Sequence, residues 1–109
     1  MGIQAFTPLG NTVTFTAATA APTPVQALST TIGGNQYRII NNGTVIVFLG
    51  LGTTSSLANS NAAIISTTGS SIPILPGTDE ILSFVPNAYF TGITSSGTAT
   101  IYVTPGDGL

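Results

Sequence analysis

Residues 35–50 read NQYRIINNGTVIVFLG, and the pattern around Asn42-Gly43 sets the fold class. Asn-Gly suits the two central positions of a type I′ turn, where both residues take positive φ. The flanking segments 36–41 and 45–50 are rich in β-branched and aromatic residues, as strands are. A two-residue turn sets Asn41 opposite Thr44, Ile40 opposite Val45, Ile39 opposite Ile46, Arg38 opposite Val47 and Tyr37 opposite Phe48. One face of the hairpin then carries Tyr37, Ile39, Ile46 and Phe48, a core set. The other carries Arg38, Ile40, Val45, Val47 and Leu49. A sandwich buries one face of each sheet, so this second, mostly aliphatic face needs a cover from elsewhere. Arg38 is the only cation of the chain. On that face its planar fork is suited to anchor a partner through a carboxylate or a carbonyl. The alternative is a loop of the same chain over the face, with Arg38 a lone solubilising charge.

The texture continues outward. Gly and Pro recur every few residues, charged helix formers are nearly missing, and no helix of useful length is expected. TVTFTA at 12–17 alternates Val13, Phe15 and Ala17 against Thr12, Thr14 and Thr16. TATIYV at 98–103 alternates Ala99, Ile101 and Val103 against Thr98, Thr100 and Tyr102. Further strands are expected at 25–30, 62–66, 71–75, 80–85 and 88–94. A second tight turn at Ser96-Gly97 sets Thr94 opposite Ala99, Gly92 opposite Ile101 and Phe90 opposite Val103. It leaves Thr91, Ile93 and Tyr102 outside. Segments 17–24 and 53–61 read as loops, and TPGDGL at 104–109 as a turn with a free tail. About eight or nine short strands at regular spacing predict an all-β sandwich or barrel. One domain over 1–109 with short flexible termini is expected from the length.

Composition argues against most chemistry. The charged fraction is 4%, against roughly 25% in ordinary domains. Polarity comes instead from Ser and Thr, 29 in all, so little charge repulsion keeps copies apart. A net charge of -2 with one cation excludes binding of double-stranded nucleic acid and of anionic membrane surfaces. No apolar run is long enough to span a membrane. The start MGIQAFTPLG has neither the basic region nor the apolar core of a signal peptide, so synthesis in a cytoplasm is expected. Without His or Cys, most nucleophile–base pairs and zinc sites are absent. Adjacent residues of a strand point to opposite faces, so Asp79 and Glu80 are poorly placed as an acid–base pair. Asp107 reads as turn chemistry. No catalytic, cofactor-binding or metal-binding residue is expected, and no enzyme. Tyr37, Tyr89 and Tyr102 are candidates for stacking on sugars, although isolated strand tyrosines more often pack.

The Met start without a signal, TVTFTAATAAPTPVQ at 12–26, YRIINNGT at 37–44 and GITSSGTATIYVTPGDG at 92–108 together resemble one family. It is the small head decoration, or cement, proteins of tailed bacteriophages. That resemblance implies a jelly-roll-like antiparallel β-sandwich. It implies a homo-oligomer, typically a trimer, bound to the major capsid protein or another virion protein, and hence a location in the virion. The interface residues on this reading are Arg38, Ile40, Val45, Val47, Leu49 and Tyr102, and Val47→Glu should break assembly without unfolding the sandwich. The alternative is a carbohydrate- or receptor-binding sandwich module of a phage tail.

Overall fold

The computed structural model describes residues 6–29, 34–63 and 71–107. In chain order its elements are β1 (Thr7–Pro8), β2 (Val13–Ala17), β3 (Val25–Gln26), β4 (Gln36–Asn41), β5 (Val47–Gly52), α1 (Ser55–Asn61), β6 (Ile72–Ile74), β7 (Asp79–Ser83), β8 (Tyr89–Ile93) and β9 (Ala99–Asp107). Sheet A runs β1-β9-β4-β7, with β2 beside β1 along the same flank of β9. Sheet B runs β3-β8-β5-β6. All strand pairs are antiparallel.

The pairings are nested. β5 pairs with β6, β4 with β7, β3 with β8 and β2 with β9. Together they form one long antiparallel ribbon whose tip is the β5–β6 connection. The ribbon then rolls on itself, so that β9 also pairs with β4 and β8 with β5. This is the jelly-roll arrangement, which leaves two sheets face to face. The sandwich expected from strand count is therefore present.

Both tight turns take a different part from the one read in the sequence. β4 lies in sheet A and β5 in sheet B, so residues 42–46 carry the chain between sheets and form no hairpin. A type I′ turn needs positive φ at Asn42 and Gly43, yet the described residues with positive φ are Gly77, Asn87 and Gly97 alone. The Ser96-Gly97 turn likewise joins β8 of sheet B to β9 of sheet A. There Thr94 Oγ1 donates to Gly97 O at 2.7 Å, closing an arch.

Burial shifts accordingly. Tyr37 and Ile39 are in the core, as expected, but in β5 the core residues are Val47 and Leu49. Phe48 is half-buried on the opposite face and Ile46 is 40% exposed. A one-residue change of register exchanges the faces of a strand, and segment 45–49 is apolar throughout, so alternation there favoured neither face. Phe90, Ile101 and Val103 do share the core, but Thr91 is buried rather than outside.

Other expectations are corrected. Residues 55–61, within a stretch read as a loop, form α1, because Thr54 caps it: its Oγ1 accepts from Leu57 N at 3.2 Å. The strand expected at 25–30 is only Val25–Gln26 in length. Ala62 and Ala63 are not in a strand, and 64–66 lie outside the described residues. Asp107 belongs to β9, opposite Thr7, rather than to a turn. Residues 108–109 of the expected tail lie outside the described residues.

Tyr37 ties the core together. Its ring meets Phe90 edge-on at 4.8 Å between centroids. Its hydroxyl donates to Val85 O and accepts from Ala88 N. Burial raises the pKa of the phenol, against the opposing pull of backbone hydrogen bonds from Ala88 and Asn87. The unfolded phenol ionises near pH 10. Stability supplied by the neutral phenol is thus complete below that pH and is lost as pH rises toward the higher folded value. Tyr37→Phe should cost about 1–3 kcal/mol at neutral pH, since it leaves the buried Ala88 N–H without its acceptor. Its denaturation midpoint should also fall less than wild type between about pH 8 and pH 11. Equal losses in the two proteins would remove Tyr37 as the alkaline-sensitive group.

Candidate interaction surface

The two outer faces of the sandwich differ. Sheet B is roofed by its own chain. α1 packs over β5, and a Cβ at Gly50 would come within 2.5 Å of Ala58 O and Ala62 N. Gly52 is pressed in the same way against Leu57 and Ala58. Gly at alternate positions of β5 thus marks the face where a helix backbone comes close. The segment after β2 covers the neighbouring strand. Thr91 Oγ1 donates to Pro22 O at 2.8 Å, and Thr94 N donates to Ala18 O at 2.9 Å. The chain thus covers one outer face itself, but not the face for which the sequence asks a cover: Val47 and Leu49 are buried in the core, and Arg38 and Ile40 lie on the outside of sheet A.

Sheet A presents the other face. From β2 across to β7, one row is Thr14, Tyr102, Ile40 and Asp79, and the next includes Thr104, Arg38 and Ile81. Thr14, Thr16, Arg38 and Tyr102 are exposed, while Ile40 and Ile81 are half-buried. Thr12 and Thr104 share a hydroxyl hydrogen bond at 2.7 Å, and Thr14 Oγ1 donates to Ile101 O at 2.9 Å. These threonines spend their hydroxyls within the sheet, which leaves methyl groups and one phenol ring as much of the open surface.

Arg38 finds its carboxylate at home. Nε and Nη2 donate to Asp79 Oδ2 at 3.1 and 2.7 Å. The two residues are diagonal neighbours on one face, since Arg38 stands opposite Ile81 and Ile40 opposite Asp79. Both side chains are about half exposed, 48% and 54%, so water screens the pair and its contribution to stability is under about 1 kcal/mol. Beside it lies an open depression of ≈ 570 Å³ lined by Arg38, Ile40, Asn42, Thr78, Asp79 and Glu80, among others. Arg38, Asp79 and Glu80, three of the four charged residues of the chain, border it, although only Arg38 and Asp79 pair.

Of the residues singled out in the sequence, Arg38, Ile40 and Tyr102 share this face. Val45 lies in the crossing between sheets and packs against the core. Val47 and Leu49 are fully buried, so neither can belong to a surface. Asp79 was not anticipated as the partner of Arg38, because 41 residues separate the two and no local pattern links them. Asp79 and Glu80 do stand opposite Ile40 and Ile39, hence on opposite faces of β7. Among the described residues no group of three metal-ligating side chains occurs. Of the three tyrosines, Tyr37 is buried, Tyr89 is half-buried on sheet B and Tyr102 alone is exposed, at 37%. That is a single ring rather than a stacking platform.

Comparison of the chain with protein-family models, with curated proteins and with solved structures finds no match.

Proposed function

We propose that this chain is a non-enzymatic structural protein of a phage virion, decorating or cementing the capsid as a homo-oligomer. The outer face of sheet A docks to further copies and to a capsid protein. The observation that carries this reading is the asymmetry between the two outer faces. One is roofed by α1 and the segment after β2, while the other carries exposed Tyr102 with Ile40 and Ile81 beside it. A face of this make-up, with a single screened ion pair, has little charge to desolvate on association. The jelly-roll order agrees with what the resemblance to cement proteins implies, although a fold alone does not assign a function. Many symmetric copies on a shell would multiply a weak face contact through avidity.

The test is the mass in solution by light scattering after size exclusion. The wild-type chain should run as an oligomer. Tyr102→Asp should lower the mass while shifting stability by less than about 1 kcal/mol, since the position is exposed. An oligomer of unchanged mass in that variant would remove this face from the contact.

A further inference from the structure

The edges of the two sheets are protected unequally. An edge strand offers unpaired N–H and C=O groups, and proteins blunt such edges with charges, proline or short length. Edge strand β7 carries Asp79 and Glu80. β6 has three residues with Pro73 at the centre. β3 has two residues, directly after Pro24, and β1 has two residues ending in Pro8. β2 has five residues, VTFTA, with no charge and no proline.

The direction of its free groups follows from the ladder. In an antiparallel pair the N–H and C=O of one residue point to the same side. Leu9 N donates to Pro105 O, whereas Asn42 N donates to Thr100 O. Odd-numbered residues of β9 therefore bond the β1 and β2 side, and even-numbered ones bond β4. Val13, Phe15 and Ala17, opposite Val103, Ile101 and Ala99, hold the β9 bonds. Thr14 and Thr16 point their backbone groups away from the sheet, as Thr12 does where the alternation continues. Ala18, next in the series, is already used, since its C=O accepts from Thr94 N. The open edge is Thr12, Thr14 and Thr16, all exposed.

We propose that β2 pairs antiparallel with β2 of a second copy of this chain, across a two-fold axis at Thr14. The outward set is symmetric about Thr14, so Thr12 of each copy stands opposite Thr16 of the other and every outward group gains a partner. Identical strands meet here without opposing like charges. The other edges among the described residues are blunted, so the contact closes at two copies and does not propagate into a fibre. This edge contact is separate from the face contact of sheet A and does not depend on it.

Amide hydrogen exchange on the wild-type chain tests the pairing directly. In an isolated chain the Thr14 and Thr16 amides have no acceptor among the described residues and exchange fast, whereas Val13 and Phe15 are protected by β9. Protection of Thr14 and Thr16 that grows with protein concentration is the expected result. Fast exchange at both amides in concentrated protein overturns the proposal. Thr16→Pro gives a second readout, because it removes an outward N–H without touching a β9 bond, a change that edge strands accept. The wild-type mass should be an even multiple of the chain mass, and Thr16→Pro should halve it. A trimer with fast Thr14 and Thr16 exchange excludes the edge contact and leaves the face contact standing. An even-numbered oligomer that ignores Tyr102→Asp but is halved by Thr16→Pro does the reverse.

Discussion

Val47→Glu should abolish the folded state at room temperature. Val47 is fully buried, stands opposite Ile74 in sheet B, and lies so close to β8 that a Cβ on Gly92 would come within 2.7 Å of its Cγ1. A glutamate there loses about 1.5–3 kcal/mol of apolar burial. It also places a carboxylate where the described residues offer no cation, at a further cost of several kcal/mol per ion. The chain carries one Arg and no Lys, and that Arg is on the far face of sheet A, paired with Asp79. A domain of this size holds on the order of 5–15 kcal/mol in total, so the substitution removes most or all of it. Circular dichroism during a thermal scan should show no cooperative transition. A Val47→Glu protein that melts like wild type but fails to assemble would put Val47 back on the surface, as the hairpin reading of 35–50 has it.

Asn41→Ala should cost about 3–5 kcal/mol, the next largest effect. Asn41 ends β4 at full burial, where the chain leaves sheet A. Its Nδ2 donates to Val45 O and to Ile74 O, both at 3.0 Å, and its Oδ1 accepts from Gly43 N at 3.0 Å. One amide thus holds the crossing segment in shape and ties β4 of sheet A to β6 of sheet B. Alanine leaves two carbonyls and an N–H without partners, each costing about 1–3 kcal/mol where water cannot reach. Urea denaturation should show a lower midpoint with an unchanged slope, because the surface exposed on unfolding is the same. A loss below about 1 kcal/mol would mean that water replaces the amide and that the crossing does not depend on it. Asn41→Asp is the close control. It keeps the acceptor for Gly43 N but sets a second oxygen against the two carbonyls, so it should be nearly as damaging unless protonated.

The residues around Asn41 explain how the local reading went astray. Asn-Gly after a strand is a strong hairpin signal, yet Gly43 is required here for a different reason. A Cβ at Gly43 would come within 2.4 Å of the Ala99 Cβ, so the glycine lets the crossing pass close to β9. Asn42 and Gly43 are turn chemistry in either case. Whether a turn stays within a sheet or arches between sheets depends on which strands lie beside it, and those are far away in sequence. β4 takes β9 and β7 as its neighbours, and β5 takes β8 and β6. In a rolled ribbon, most chain neighbours face each other across the core instead of sharing a ladder.

The apolar face expected from Arg38 to Leu49 divides for the same reason. Arg38 and Ile40 sit on the outer surface of sheet A, while Val47 and Leu49 fill the core below it. Alternation within β4 was clear, and the structure keeps it. The run from Val45 to Leu49 is apolar on both sides, although its outward residues are only partly covered, with Phe48 half-buried and Ile46 exposed. The informative residues were Gly50 and Gly52, which alternate with Leu49 and Leu51 and mark the side where the helix lies. The helix itself left one trace, a Thr cap at Thr54 before a short polar stretch, and seven residues are too few for a helical period to stand out.

By itself, the sequence determined the features that are local. Period-two alternation put Val13, Phe15 and Ala17 on one side of β2 and Ala99, Ile101 and Val103 on one side of β9. The bounds 36–41 of β4 follow from composition and agree with the structure. Only the tertiary structure decided that these two alternating strands pair with each other, Phe15 opposite Ile101 and Val13 opposite Val103. It alone decided that Arg38 meets Asp79, that sheet B is covered while sheet A is open, and that β2 ends as an unguarded edge. The physical reason is one of range. Which side of a strand is apolar is written in its own residues, but its neighbours and its cover come from chain tens of residues away.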